Sequence, residues 1–372
     1  MIPLRVIVDE IVNGTAGVAR YAEELTRAVV ATRPPGTEVT GIVASSPEAD
    51  RLLAERLPGL PLRKSALARR ELAAAWQRGI TVLPGTGMVH ATSLLAPLRR
   101  HDRAADPASQ IAVTIHDAIA WTQPDLLPAR TVSWTRAMAR RAERYADAVV
   151  VPTHAVAADL DEELGLGDRL RVIGGAPSTT LSRPVDASAR RGALGLPARY
   201  VLAVTGWEPR TGLAALLTAM SRIRDRDLVV VGAAAAHDEV LAAATEAGAV
   251  ERVHVLDRLG DDDLGAVLDG AEVFVQPSLA EGFSLAMIDA FAFGLPVVLS
   301  DAPALVEVAA DAGLVVERGD AGRFPARLAD ALRGVLDDDA LRERLAVAAA
   351  DRARLFSWRD AGEKVWQLHA DL

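Results

Sequence analysis

Two doubly wound α/β domains, each a parallel sheet with helices on both faces, are what this sequence predicts. Short β-branched runs, apolar throughout, alternate with longer alanine- and leucine-rich amphipathic stretches. Strands buried on both faces are apolar along their length, and parallel strands need helical crossovers between them. The alternation stops after Ile173 and restarts at Tyr200. Between them Arg183–Arg199 holds Pro184, Gly192, Gly195 and Pro197 without a strong apolar period, and reads as an interdomain linker. A chain of 372 residues also suits two domains of ordinary size better than one.

In chain order, the β-branched runs predict strands at Leu4–Val8, Val39–Val43, Ile111–Ile115, Ala148–Val151 and Leu170–Ile173. A second set follows at Tyr200–Val204, Leu228–Val231, Val253–Leu256, Val273–Gln276, Val297–Leu299 and Leu314–Val316. The amphipathic stretches between them predict helices at Val18–Thr32, Pro128–Tyr145, Leu213–Ile223, His237–Ala247 and Leu341–Phe356. In open sheets of this kind ligands bind beyond the carboxyl ends of the strands, so the loops there are where function is sought.

Composition narrows the classes. Half the residues are hydrophobic, enough for a sizeable core and incompatible with a disordered chain. With no cysteine there is no disulfide, thiolate metal site or cysteine nucleophile, and a reducing compartment is the natural home. Arg5, Asp9 and Glu10 interrupt any signal-peptide-like run in Met1–Val12. Uncharged apolar stretches such as Leu228–Ala236 are far short of the ~20 residues that span a membrane. A soluble cytoplasmic protein is expected. The net charge of −9 argues against nucleic acid as a partner. Residues 1–185 carry 22 Lys and Arg against 20 Asp and Glu, a net of +2, whereas 186–372 carry 19 against 30, a net of −11. Two such surfaces suggest domains that meet different partners. No zinc spacing or carboxylate cluster calls for a metal.

The most informative segment runs Gln276-Pro277-Ser278-Leu279-Ala280-Glu281-Gly282-Phe283-Ser284 and on to Ala290. It leaves a strand, passes a glycine and enters a helix near Ser284. That arrangement turns free backbone N–H groups and the positive end of a helix toward the loop, which suits an anion. Taken alone, it is equally well an ordinary capped helix. The spacing decides: Glu281 and Asp289 are separated by seven residues, with Gly-Phe-x-Leu after the first. This resembles the Glu-x7-Glu motif of the retaining family 4 glycosyltransferases. The resemblance continues through Phe291–Val298, Ser300-Asp301 and Glu307. It extends to Asn13-Gly14-Thr15-Ala16-Gly17-Val18-Ala19-Arg20-Tyr21, Thr114-Ile115-His116-Asp117, Val149–Thr153, Thr205-Gly206-Trp207-Glu208-Pro209-Arg210 and Phe356-Ser357-Trp358, in the family's order.

The resemblance implies a GT-B fold: residues 1–185 as the acceptor-side domain, 186–355 as the nucleotide-sugar domain, and 356–372 as a terminal helix crossing back to the first. It implies transfer of a hexose from a nucleoside-diphosphate sugar, with no cofactor and no metal, to a glycan or lipid-linked hydroxyl acceptor. By position, Glu281 would accept from donor-sugar hydroxyls and Asp289 from the ribose. Arg210 would pair with the diphosphate. Gly206 and Gly282, with the amides of Phe283, Ser284 and Leu285, would line sugar and phosphate. Gly17 would leave room for the phosphate, and is equally a plain turn glycine. His116 would lie at the cleft floor near the transferred sugar, and Asp117 is the other carboxylate to consider as a catalytic group.

Two departures stand out. The family's lysine after the arginine is Thr211 here, and the asparagine after it is Gly212; the second acidic residue is Asp289 rather than glutamate. Losing the lysine motivates a second reading, a non-catalytic nucleotide-sugar-binding relative or partner subunit of an active transferase. A nucleotide-sugar epimerase on the same architecture fits the glycine loop and Glu281 less well. Similarity leans toward bacterial mannosyl- and rhamnosyltransferases of surface-glycan assembly, making GDP-mannose the first expectation for the donor. Residues Leu256-Asp257-Arg258 should border the base. A basic stripe at Arg136, Arg140 and Arg144, with Arg141 beside it, suits either peripheral contact with an anionic membrane or a solvated helix face. The solvated face is preferred.

Overall fold

A computed structural model describes residues 3–81, 87–102 and 108–372. The chain divides into two compact units, Met1–Gly175 with Ser357–Leu372, and Ala176–Phe356. The cut falls at Gly175/Ala176, ahead of the 185/186 boundary expected from sequence, and at Phe356/Ser357.

The first unit holds seven strands: β1 Leu4–Ile7, β2 Val39–Val43, β3 Leu62–Lys64, β4 Met88–Ala91, β5 Ile111–Thr114, β6 Ala148–Val151 and β7 Leu170–Val172. They form one sheet in the order β3-β2-β1-β4-β5-β6-β7, and every pairing is parallel. Two of these strands were not expected. β3 is three residues long, ends in Arg63-Lys64 and lies at the sheet edge, where charge is tolerated and blunts further pairing. β4 is four residues and carries His90 in a fully buried position, so its run is too short and too polar to declare itself. On one face Ile7, Ile42, Val89, Val113 and Val149 pack with Met138, Ala139 and Ala142 of the helix Ala129–Tyr145. The C-terminal helix Trp358–Asp371 lies along the helix Ala16–Ala31, with Gly362 against the backbone of Ala28 and the Trp366 indole donating to the carbonyl of Val29 at 3.0 Å.

The second unit holds β8 Tyr200–Val204, β9 Asp227–Val231, β10 Val253–Leu256, β11 Val273–Gln276, β12 Val297–Ser300 and β13 Leu314–Val316. Their order is β10-β9-β8-β11-β12-β13, again parallel throughout. One face buries Leu213, Leu216, Leu328 and Leu332; the other buries Ile288, Phe291, Leu305 and Ala349. The linker expected at Arg183–Arg199 is a correction. Ala187–Ala193 is helical, and Arg190 pairs with Asp186 and Asp263 at 2.8 Å and with Asp262 at 3.1 Å. Arg191 meets Asp269 at 3.0 Å, and Leu194 and Leu196 pack against the core that includes Val267 and Leu268, so the segment is tied to the helix Asp261–Gly270 by charge as well as by apolar contact. Among the described residues, no helix is long and apolar enough to cross a membrane.

Candidate functional site

In both sheets the strand order reverses once, between β1 and β4 in the first unit and between β8 and β11 in the second. At such a point adjacent crossovers leave on opposite faces, and the loops at the strand ends part to form a crevice. Arg210 and Glu281 follow the two strands that flank the second point and Gly17 follows β1 at the first, whereas His116 and Asp117 follow β5, one strand further out.

In the second unit, the loop after β8 leads through a short 3₁₀ turn, Pro209–Thr211, to Gly212. Gly212 has φ +70°, a conformation side chains resist, and a Cβ there would lie 2.0 Å from the carbonyl oxygen of Pro277. The glycine therefore lets this loop close onto the loop after β11. The Arg210 carbonyl accepts from the N–H groups of Leu279 at 2.8 Å and Ala280 at 3.3 Å, and its guanidinium stands 3.7 Å from Glu281. Both side chains keep partial exposure, 29% for Arg210 and 20% for Glu281. The pair is thus held together and accessible. A Cβ at Gly206 would meet the Glu208 carboxylate at 2.5 Å, a contact that this exposed side chain relieves by moving.

Thr211 does not take up the position of a free cation. It is buried, and its hydroxyl donates to the carbonyls of Glu208 at 2.8 Å and Gly206 at 3.1 Å. Downstream of Glu281, Gly282 is buried and Phe283 meets Phe356 edge-on at 6.3 Å. Ser284 caps the helix Leu285–Ala292, its Oγ accepting from the Met287 N–H at 3.2 Å, so the helix starts where the sequence indicated. Asp289 is 2% exposed, and its Oδ1 accepts from the Ser178 N–H at 2.9 Å. Arg258 is exposed at the end of β10, next to Asp257.

In the first unit, a short helix Glu10–Asn13 follows β1 and Gly17 lies in the first turn of the helix Ala16–Ala31, with open space where a Cβ would project. His116 follows β5. Its Nε2 is bonded to the Thr92 carbonyl at 2.8 Å, and a carbonyl only accepts, so the neutral ring carries its proton on Nε2 and its lone pair on Nδ1. Burial lowers its pKa, opposed by the Thr92 carbonyl and by the charges of Asp117 and Glu10. Tyr21 packs edge-on at 4.9 Å. Asp117 is engaged locally, its Oδ1 accepting from the Ile119 N–H at 3.0 Å.

Sequence reading missed a charge cluster beside His116. Asp9 is fully buried and Glu10 nearly so, and both pair with Arg69, whose Nη2 lies 3.1 Å from Glu10. Asp9 also accepts from the Ala44 N–H at 2.9 Å, and Glu10 from the Ser93 hydroxyl at 2.8 Å. Two carboxylates directly after a strand were a visible signal; Arg69 and Ser93 had none, because the fold alone brings them there. In the second unit Gln276, Ser278 and Ser300 were likewise unassigned. The basic stripe is largely spoken for. Arg136 donates to the Ala120 carbonyl at 2.9 Å, Arg140 pairs with Glu143 at 3.1 Å, and Arg141 reaches the Leu98 carbonyl.

Residues 15–176 match the family model described as Glycosyltransferase Family 4, and residues 198–338 match the one described as Glycosyl transferases group 1. Among curated proteins, the chain is 29% identical over 299 residues to D-inositol 3-phosphate glycosyltransferase of Corynebacterium diphtheriae, covering 76% of this chain and 65% of that one. It is 33% identical over 168 residues to O-antigen chain mannosyltransferase B of Escherichia coli, covering 43% of each. The match thus spans less than two thirds of the length of these relatives. Among solved structures, Anabaena HepE in complex with UDP and glucose superposes with a TM-score of 0.75 at 17% identity, over all of both chains.

Proposed function

Given that this chain belongs to the GT-B glycosyltransferases, with family 4 sequence in its first half and group 1 sequence in its second, we propose that it moves a hexose from a nucleoside-diphosphate sugar to a hydroxyl acceptor with retention of anomeric configuration. The observation that carries this reading is the Arg210–Glu281 pair, held accessible where the second sheet reverses its strand order. Arg210 offers the diphosphate a guanidinium, and Glu281 offers sugar hydroxyls a carboxylate acceptor. The amides of Phe283, Ser284 and Leu285 and the backbone at Gly206 complete the donor side. Asp289 serves the ribose once Ser178 yields its oxygen.

In this reading the bond from the anomeric carbon to the diphosphate oxygen breaks as the bond to the acceptor oxygen forms on the same face. The departing diphosphate takes the acceptor's proton. No metal is required, so the charge growing on the diphosphate falls to Arg210 and the loop amides. One preorganised donor of this kind is worth about 2.7–4 kcal/mol, and Thr211, turned inward, does not replace the missing lysine. On the acceptor side His116, neutral and oriented by Thr92, accepts a hydrogen bond at Nδ1 from the acceptor. The donor sugar is mannose and the acceptor a glycan or lipid-linked hydroxyl, with the reaction in the cytoplasm. The test is incubation with GDP-mannose and a panel of glycan and polyol acceptors in EDTA, reading the product's anomeric configuration by NMR. A retained configuration is expected. Inversion, or turnover abolished by EDTA, contradicts the reading.

One observation favours a second reading, a nucleotide-sugar-binding protein without turnover: the Thr211 hydroxyl is committed to two carbonyls of its own loop. Calorimetry that shows donor binding while no acceptor is glycosylated selects it.

A further inference from the structure

Behind Glu281 lies a chain of buried polar side chains that neither the motif nor the proposed reaction assigns. Gln276 ends β11 and is 4% exposed, Ser278 is fully buried, and Ser284 is 7% exposed. The Gln276 Nε2 donates to the Ser278 Oγ at 2.7 Å, and its Oε1 accepts from the Ser284 Oγ at 2.9 Å. The Ser278 Oγ in turn donates to the Glu281 Oε2 at 3.4 Å. The carbonyl of Ser278 accepts from the Ser300 hydroxyl at the end of β12, which fixes the segment to the sheet.

The directions of the links are mutually consistent. The Ser284 oxygen already accepts from the Met287 N–H as the helix cap, so its proton is available for Gln276. An amide that accepts at Oε1 presents its NH2 on the other side, to Ser278. Ser278, having accepted, turns its own proton to the carboxylate. Glutamine supplies both a donor and an acceptor at the middle position: glutamate there has no proton to give Ser278 when ionised, and an aliphatic side chain breaks both links.

We infer that Gln276 is a positioning residue for the donor sugar, acting through Ser278 to fix the plane of the Glu281 carboxylate. This rests on the reading of Glu281 as the sugar-binding carboxylate. A carboxylate held at one oxygen loses less freedom when sugar hydroxyls bind it, so the relay adds to affinity for the sugar and not for the nucleotide. A merely structural role for Gln276 would weaken both alike.

The experiment is calorimetry on the full chain with GDP-mannose, UDP-glucose and dTDP-rhamnose, each against its own nucleoside diphosphate, using whichever pair binds wild type most tightly. The variants are Ser278→Ala, which removes only the last link, Gln276→Glu, and Glu281→Gln. Ser278→Ala and Gln276→Glu are expected to weaken the sugar nucleotide about ten-fold, equivalent to 1.4 kcal/mol, while the nucleoside diphosphate stays within about two-fold. Equal loss for both ligands, or no loss in Ser278→Ala while Glu281→Gln shows the sugar-selective defect, overturns the relay. If Glu281→Gln itself leaves the sugar increment intact, or no pair binds, it is the assignment of Glu281 that fails.

Discussion

At position 211 a threonine takes the place of the family's cation and spends its hydroxyl on its own loop. Thr211→Val keeps the shape and removes the hydroxyl from the Gly206 carbonyl, while the Glu208 carbonyl keeps the Thr211 N–H at 2.9 Å. A loss of about 0.5–1.5 kcal/mol in urea unfolding is expected, with donor affinity falling in step as the Arg210 loop loosens. Gly212→Ala meets a positive φ and the Pro277 carbonyl together, and should cost more than ~1 kcal/mol and separate the two loops. In activity assays Glu281→Ala is expected to remove most turnover and Asp117→Asn less, since Asp117 is occupied with the Ile119 N–H; the reverse order contradicts the assignment. The loop and helix start at Glu281, Gly282 and Ser284 were legible because those residues are contiguous, whereas Arg210, which the fold brings to 3.7 Å from Glu281, was pointed to by the family resemblance alone. Arg69, meeting Asp9 and Glu10 from a distant helix, was not legible, because a long-range ion pair leaves no periodicity in the chain.

The C-terminal helix gives the clearest tests at the scale of elements. His369 faces His90 of β4, with ring centroids 5.6 Å apart; its Nδ1 meets the Gln110 side chain at 3.1 Å, while neither nitrogen of His90 has a hydrogen-bond partner among the described residues. Burial pulls His90 down to about 4 and His369 to about 3, and His90 adds to the latter. Both rings are neutral in the fold and protonate near 6.5 when unfolded. The unfolded state therefore binds more protons below pH 6.5, so stability is full above that pH and falls as pH drops toward 4. Thermal unfolding followed from pH 7 to 4 should show this decline, and His369→Leu should flatten it; an unchanged slope would contradict the buried pair. Two glycines separate packing from propensity. Gly362→Ala thrusts a Cβ to 2.7 Å from the Ala28 backbone and should destabilise, whereas Gly334→Ala, in open space on the helix Phe324–Asp337, should gain roughly 0.5–1 kcal/mol. Strands β3 and β4 escaped sequence reading because edge position and partner strands, not their own apolar run, hold them in place.

Over the whole molecule, the alternation of apolar strands and amphipathic helices was enough to foresee two parallel sheets, because burial on both faces writes itself into every strand. The division between the units was harder. The segment Arg183–Arg199 lacks an apolar stripe and looks like a tether, yet Arg190 and Arg191 bind it to the acidic helix Asp261–Gly270. Raising the salt concentration should weaken this exposed network, so proteolysis near Ala187–Ala193 is expected to quicken with ionic strength more than cleavage in the sheet-packed helices. The central claim is that the strand-end loops of the second unit grip a nucleoside diphosphate through Arg210 without a metal. Thermal shift against GDP, UDP, dTDP and ADP in EDTA tests it directly, since a ligand at about 100 times its dissociation constant adds about 2.7 kcal/mol to the folded state. Stabilisation by one of the four, lost in Arg210→Ala, is the predicted result; no stabilisation by any of them, or an equal shift in the variant, would contradict it.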